Sequence, residues 1–256
     1  EVMKLLKAMA IAFSIYSKIP VPQFEWKEED MEYMMCFFPW IGGVIGLFFF
    51  GWAVLCEKFA VGNVCYALIG AAIPLMISGG FHVDGYMDTM DAFHSYQSRE
   101  KKLEILKDSH IGAFAAIMLA LYYMIDIAAI SEIHTQKAVS ALAAVFFLAR
   151  CFSGIAVMTL QPAKKEGLLY TFASSAQKVR VKAALYFQAA LCVVLMLLVS
   201  GWYGAAAIGA ALLSFFYFKK KSYKELGGIT GDTAGFFVTV CEAAAAAAVA
   251  VAGYFL

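Results

Sequence analysis

The run Met35-Cys36-Phe37-Phe38-Pro39-Trp40-Ile41-Gly42-Gly43-Val44-Ile45-Gly46-Leu47-Phe48-Phe49-Phe50-Gly51-Trp52-Ala53-Val54-Leu55-Cys56 contains no charged residue. A helix needs about 20 mostly apolar residues to cross bilayer hydrocarbon, and this run supplies them. Comparable runs lie at 64–83, 111–131, 138–160, 183–200, 203–218 and 233–254. Together they predict an all-α, polytopic transmembrane helix bundle of about seven spans. The composition agrees, because 62% of the 256 residues are hydrophobic and 15% are charged. A soluble domain carries about 25% charged residues, so a water-facing globular surface is excluded. The bilayer is the expected surroundings, and the chain reads as a single integral membrane domain over residues 1–256.

Residues 1–19 differ from the spans. Lys4, Lys7 and Lys18 are placed around Leu5, Leu6, Met9, Ile11, Phe13, Ile15 and Ile19. That pattern suits an interfacial or re-entrant helix, stopped at Pro20 and Pro22 because the residue before a proline disfavours helix. Gly42 and Gly46 form a small-xxx-small pair, as do Gly227, Gly231 and Gly235, and the first pair reads as close helix packing in the membrane.

The net charge of +1 gives no reason to expect a nucleic-acid partner. Sorted by loop, the charge is far from even. Of the 20 basic residues, Lys58 and Lys137 fall on one side of the predicted spans and Arg150 lies inside one. The other 17 fall on the opposite side (20 − 3), in segments 1–34, 84–110, 161–182 and 219–232. Cytoplasmic loops carry the excess of Lys and Arg, so these segments are expected in the cytoplasm. The six cysteines are scattered without metal-ligand spacing and read as small apolar residues.

The most informative polar stretch is Gly79-Gly80-Phe81-His82-Val83-Asp84-Gly85-Tyr86-Met87-Asp88-Thr89-Met90-Asp91-Ala92-Phe93-His94. Asp84, Asp88 and Asp91 fall on one face of a helix. One Asp at the centre of a membrane helix costs roughly 2.5–3.5 kcal/mol, so this cluster is expected at the cytoplasmic edge with a compensating cation. Mg²⁺ suits it, since that ion takes oxygen ligands from one or two carboxylates, waters and substrate phosphates. His82 and His94 flank the acids as candidate phosphate or metal contacts. The spacing alone does not name a reaction.

Further candidates converge on the same side. Gly227-Gly228-Ile229-Thr230-Gly231-Asp232-Thr233 opens the last span after a basic loop holding Lys224. Exposed backbone amides at a helix N-terminus suit phosphate, although a plain capped turn also accounts for Thr230 and Asp232. Arg150 is charged within an apolar run. It therefore reads as functional by default, with Glu242 and Asp126 as alternative structural partners.

Taken together, the 79–91 run, Lys107-Asp108-Ser109-His110-Ile111-Gly112, Arg150, Glu166-Gly167 and Gly231-Asp232-Thr233 resemble the cobalamin synthase family. The likeness extends from Ile19-Pro20-Val21-Pro22 over nearly the whole chain. It departs in minor ways, with His110 where an Arg is frequent and Ala92 where a Gly also occurs.

The resemblance implies an adenosylcobinamide-GDP ribazoletransferase in a prokaryotic cell membrane. Its partners would be adenosylcobinamide-GDP, α-ribazole or α-ribazole 5′-phosphate, and the lipid bilayer. It leaves room for a homo-oligomer or for association with other corrinoid-pathway enzymes. In that reaction Asp84, Asp88 and Asp91 would hold Mg²⁺, and one of them or Asp232 would act as general base. His82, Arg150 and Lys224 would steady phosphates, with Thr230 and Thr233 at the same end. Asp108, Glu166 and Gly167 would meet the ribazole or guanosine end.

Three other readings are open to an acidic membrane site. An alcohol phosphotransferase of lipid synthesis would show Ala-Arg in its motif after Asp-Gly, and Asp84-Gly85 is followed by Tyr86-Met87. A prenyltransferase would need a polyprenyl groove. A cation-coupled transporter would place its acids at the midplane of inverted repeats.

Overall fold

The computed structural model describes residues 2–22, 25, 27–164, 168–174 and 177–255. The described residues form helices α1 (Val2–Tyr16), α2 (Met34–Lys58), α3 (Asn63–Ser78), α4 (Phe81–His94), α5 (Arg99–Ile105) and α6 (Ala113–Ile130). They continue through α7 (Gln136–Thr159), α8 (Leu168–Ala173), α9 (Lys178–Ser200), α10 (Trp202–Leu226) and α11 (Gly231–Gly253). A 3₁₀ turn occupies Glu28–Met31. The fold is all-α, as expected.

Five of these helices, α2, α6, α7, α9 and α11, are long and apolar enough to cross a membrane. A bent pair, α3 with α4, would add a sixth. The expected span at 203–218 lies within α10. That helix is long, but Trp202, Tyr203, Tyr217 and the lysines from 219 dilute its apolar stretch.

The expected span at 64–83 is broken. Gly79 and Gly80 have φ of +68° and +86°, and the chain turns by 96° between α3 and α4. Two consecutive left-handed residues cannot continue a right-handed helix, and glycine is the residue that adopts them cheaply. The acids are therefore carried on a separate helix across the end of α3. The N-terminal segment is helical as expected and docks on the bundle, with Ala8, Ile11 and Ala12 buried and α1 packed along α2.

α7 and α11 form the centre. Leu142, Phe146, Leu148 and Ala149 of α7 are buried, as are Phe236, Phe237, Ala245 and Ala246 of α11. The Ala243–Ala248 run lets neighbouring helices approach α11 closely. Lipid-facing positions lie instead on α6 and α9, where Met124 and Leu198 are exposed. Thr135 caps α7 by accepting the Ala138 N–H at 3.3 Å.

The two glycine patterns have different fates. A Cβ on Gly42 would run into the Phe146 carbonyl, and one on Gly46 into the Ala143 carbonyl. This pair makes the α2–α7 contact, as its spacing predicts. The second pattern is not one packing stripe. Gly227 ends α10 with φ of +73° under the Arg99 side chain, Gly231 would place a Cβ in open space, and Gly235 meets the backbone of α4 at His82.

The first prediction compares two glycines of α2. Gly42→Ala is expected to lower the stability of the detergent-solubilised protein by about 2–3 kcal/mol through overpacking. Gly51→Ala, where nothing lies within 4 Å of the new Cβ, gains up to about 1 kcal/mol of helix propensity. Thermal unfolding of the two variants should therefore shift in opposite directions.

Candidate functional site

The site is built where α4 meets α11. A Cβ on Gly85 would lie 2.8 Å from the Asp232 carbonyl oxygen, and one on Gly235 would lie 3.1 Å from the His82 carbonyl oxygen. The two glycines allow the backbones to touch, and this contact sets Asp84 of α4 beside Asp232 in the first turn of α11.

The approach to α11 is also fixed. Ile229 and Pro162 form an isolated parallel bridge, with Ile229 N–H donating to the Gln161 carbonyl at 3.0 Å and Ala163 N–H donating to the Ile229 carbonyl at 2.8 Å. Thr230 then opens the helix with a reciprocal cap. Its Oγ1 accepts the Thr233 N–H at 3.1 Å, and Thr233 Oγ1 accepts the Thr230 N–H at 2.8 Å. Lys102 and Lys221 pair with Glu225 just before this loop.

Together these elements surround a cavity of about 340 Å³. Asp84, His82, Thr230 and Asp232 all line it, as do Lys107, Lys164 and Ser153. Tyr16, Phe38 and Phe81 form an aromatic wall, with Phe38 stacked on the His82 ring at 5.6 Å. His82 is buried, and its Nδ1 has no hydrogen-bond partner in the protein. A buried polar atom without a partner is costly, so a ligand's polar group would be well received there.

Asp88 lies one turn along α4 and is half-buried, within the fields of Asp84, Asp232 and Asp91. Lys164 acts on Asp232 from the opposite wall and also donates to the Leu103 carbonyl at 2.8 Å. Among the described residues, no three His, Cys, Asp or Glu side chains converge tightly enough to chelate an ion alone. A facing group of hard carboxylate oxygens still fits Mg²⁺, which completes its shell with water and phosphate oxygens.

The remaining expected site residues are placed elsewhere. Asp91 does not join the other acids, because its oxygens accept the Gly112 and Ala115 N–H groups at 2.7 and 2.8 Å. It thereby caps α6, where a carboxylate also complements the helix dipole. Its position seven residues after Asp84 was legible, but the arrival of α6 was not.

Arg150 lies behind the cavity, with Nη1 donating to Glu242 and to the Phe146 carbonyl, each at 2.7 Å. Its expected contact with phosphate gives way in the structure to the alternative Glu242 pair. Thr233 is buried in the cap. Lys224 and Asp108 are exposed and line neither this cavity nor the one beside it.

Asp108 accepts from His110 Nδ1 at 2.6 Å, and this bond holds its carboxyl below the usual carboxylate range. Whatever the bond contributes is present above the ordinary carboxylate pKa and lost as pH falls through the depressed one. His94 turns away to stack on Phe114 at 5.2 Å. Glu166 and Gly167 lie outside the described residues.

Sequence reasoning passed over Lys107, Lys164 and Ser153 as site residues. Lys164 enters the sequence reading only through the charge balance of the loops, and Lys107 through that balance and the Lys107–Gly112 motif. Their signal was adjacency, since Lys107 opens the Lys107–Gly112 motif and Lys164 follows the Pro162 bridge.

The fold and the site define a polytopic helical membrane protein with a carboxylate- and lysine-lined cavity at the end of its central helices. A model of the cobalamin-5-phosphate synthase family matches residues 8–250, and the chain belongs to that family. An adenosylcobinamide-GDP ribazoletransferase of Lachnoclostridium phytofermentans is 44% identical over 250 residues, covering 98% of this chain and 95% of that one. Another of that name, from Clostridium botulinum strain Eklund 17B, is 34% identical over 242 residues, covering 93% and 94%. A third, from Azorhizobium caulinodans, is 30% identical over 250 residues, covering 94% of each. No solved structure matches the chain.

The second prediction concerns the buried pair. Glu242→Gln leaves the Arg150 charge without its partner and should cost about 3–5 kcal/mol of stability. Arg150→Met combined with Glu242→Leu removes both charges and should recover most of that loss in thermal unfolding. A double variant no more stable than Glu242→Gln would contradict the pairing.

Proposed function

We propose that this protein joins α-ribazole, or its 5′-phosphate, to adenosylcobinamide-GDP with release of GMP. The observation that carries this reading is the meeting of Asp84 and Asp232 with Lys107 and Lys164 around one cavity. It occurs in a chain of the cobalamin-5-phosphate synthase family.

In the reaction the acceptor's 3′-hydroxyl oxygen bonds to the cobinamide-side phosphorus, and the bond from that phosphorus to GMP breaks. Negative charge accumulates on the departing phosphate, so catalysis rests on placing cations and donors around it. Lys107 and Lys164 supply positive charge on the cavity wall. Thr230 and the N-terminal amides of α11 supply neutral donors. His82 offers Nδ1 to a polar group of the substrate.

Asp232 takes the hydroxyl proton as general base. Asp84 and Asp88 would hold Mg²⁺, which when bound supplies Lewis-acid polarisation of the phosphoryl oxygens. Asp91 fixes α4 against α6, and Arg150 fixes α7 against α11. Both are positioning residues in this scheme.

The cavity admits the reacting diphosphate, while the bulky corrinoid stays outside its mouth. The cavity opens on the side bearing most of the lysines, and we assign that side to the cytoplasm. The lipid-synthesis phosphotransferase and transporter readings are not favoured.

The test uses purified protein in lipid nanodiscs with adenosylcobinamide-GDP, α-ribazole 5′-phosphate and Mg²⁺. Coupled corrinoid product and equimolar GMP are expected, and EDTA should abolish both. Asp84→Asn should lower turnover at least about a thousandfold, about 4 kcal/mol of transition-state stabilisation, with unfolding temperature unchanged. Absence of product from the wild-type protein would overturn the proposal.

A further inference from the structure

A second cavity, of about 540 Å³, lies on the other side of Asp84 and Phe81, which form walls of both. It sits between the end of α1, the α3–α4 turn and α6. Leu75, Met87, Leu119 and Tyr123 give it an apolar side, and Ser14, Ser17 and Ser78 add hydroxyls. Lys18 is the one cation lining it among the described residues, and its only carboxylate is Asp84.

Lys18 is held there by the turn. Its backbone N–H donates to the Ile77 carbonyl at 2.8 Å. Its side-chain stem lies over Gly79, where a Cβ would come 2.7 Å from Lys18 Cγ. Gly79 thus serves both its positive φ and the passage of the lysine.

Resting on the function proposed above, we infer that this second cavity is the acceptor subsite. It would take the α-ribazole nucleoside in its 5′-phosphorylated form, with Lys18 meeting the phosphate. Three observations carry the assignment. In-line displacement needs the attacking oxygen and the leaving group on opposite sides of phosphorus. Two cavities that share Asp84 and Phe81 as a wall provide two such sides.

The cations of the walls also divide. The first cavity holds Lys107 and Lys164 with Thr230, which suits a diphosphate. The second holds Lys18 alone and offers Leu75, Met87, Leu119 and Tyr123 as a side against which a flat base can lie, and its volume lies within the range of about 300–1,000 Å³ usual for small-molecule sites. Finally, Lys18, as the one cation lining the cavity among the described residues, discriminates a phosphomonoester from a hydroxyl. A hydrogen bond to a charged group contributes about 1.5–3 kcal/mol.

Calorimetric binding of α-ribazole 5′-phosphate and of α-ribazole to the full-length protein in nanodiscs tests this. The phosphorylated form should bind about tenfold more tightly to wild type. Lys18→Met keeps the stem over Gly79 and should erase that preference by weakening the phosphorylated form alone, while Lys18→Arg restores it. Leu119→Trp fills the cavity and should weaken both forms at least about tenfold, leaving GDP binding within about twofold.

Equal effects of Lys18→Met on both forms, or none on either, would overturn the assignment. So would unchanged nucleoside binding by Leu119→Trp, or no nucleoside binding by wild type. Binding reads the subsite and the turnover assay reads the transferase, so the two proposals fail separately.

Discussion

Gly85 and Gly235 let α4 and α11 touch backbone to backbone, and the position of every acidic group at the site follows from that contact. A side chain at either glycine would hold the helices apart and carry Asp84 away from Asp232. The turn at Gly79 and Gly80 performs the preceding step, since it swings α4 across the bundle instead of letting α3 continue through the bilayer. The Thr230–Thr233 cap and the Ile229–Pro162 bridge do the same for α11. The site is thus held by backbone geometry on both sides. That arrangement suits a group of like charges that would otherwise push itself apart.

Charge in this chain is handled in three ways, each set by its distance from water. Deep in the bundle, Arg150 is matched one to one by Glu242 and by a backbone carbonyl, because an unmatched ion there costs several kcal/mol. At the membrane edge, Asp84, Asp88 and Asp232 gather with fewer cations than their charge requires, a deficit that a divalent cation and a phosphorylated substrate would resolve. Asp91 escapes that deficit by binding the amides that begin α6. On the loops many lysines are exposed, and the orientation proposed for the spans rests on their distribution.

Much of this was legible in residue order. Apolar run length fixed the helical class and most of the long helices, because hydrocarbon thickness sets a minimum length that few other structures need. The four-residue spacing of Gly42 and Gly46 announced their contact with α7. The 79–94 run announced a helix that carries three acids, and α4 is that helix.

Other features were not legible because they depend on what arrives from elsewhere in the chain. Asp91 has the same spacing credentials as Asp88, and only the approach of α6 separates their fates. Arg150 could be read as functional or structural until Glu242 was found opposite it. Gly79 and Gly80 looked like part of a span, because a hydropathy pattern does not register backbone handedness. Lys107 and Lys164 were hidden among many lysines, and Lys18 was read only as part of an amphipathic segment.

In the function proposed above, the α4–α11 contact assembles a carboxylate centre that would bind a divalent cation together with a diphosphate. Electron paramagnetic resonance of Mn²⁺ titrated into the nanodisc-embedded protein with GDP tests it most directly. Near-stoichiometric binding to wild type is expected, lost in Asp84→Asn/Asp88→Asn and retained in Lys224→Ala. Equal Mn²⁺ binding by wild type and the double Asp variant, or none by wild type, would contradict it.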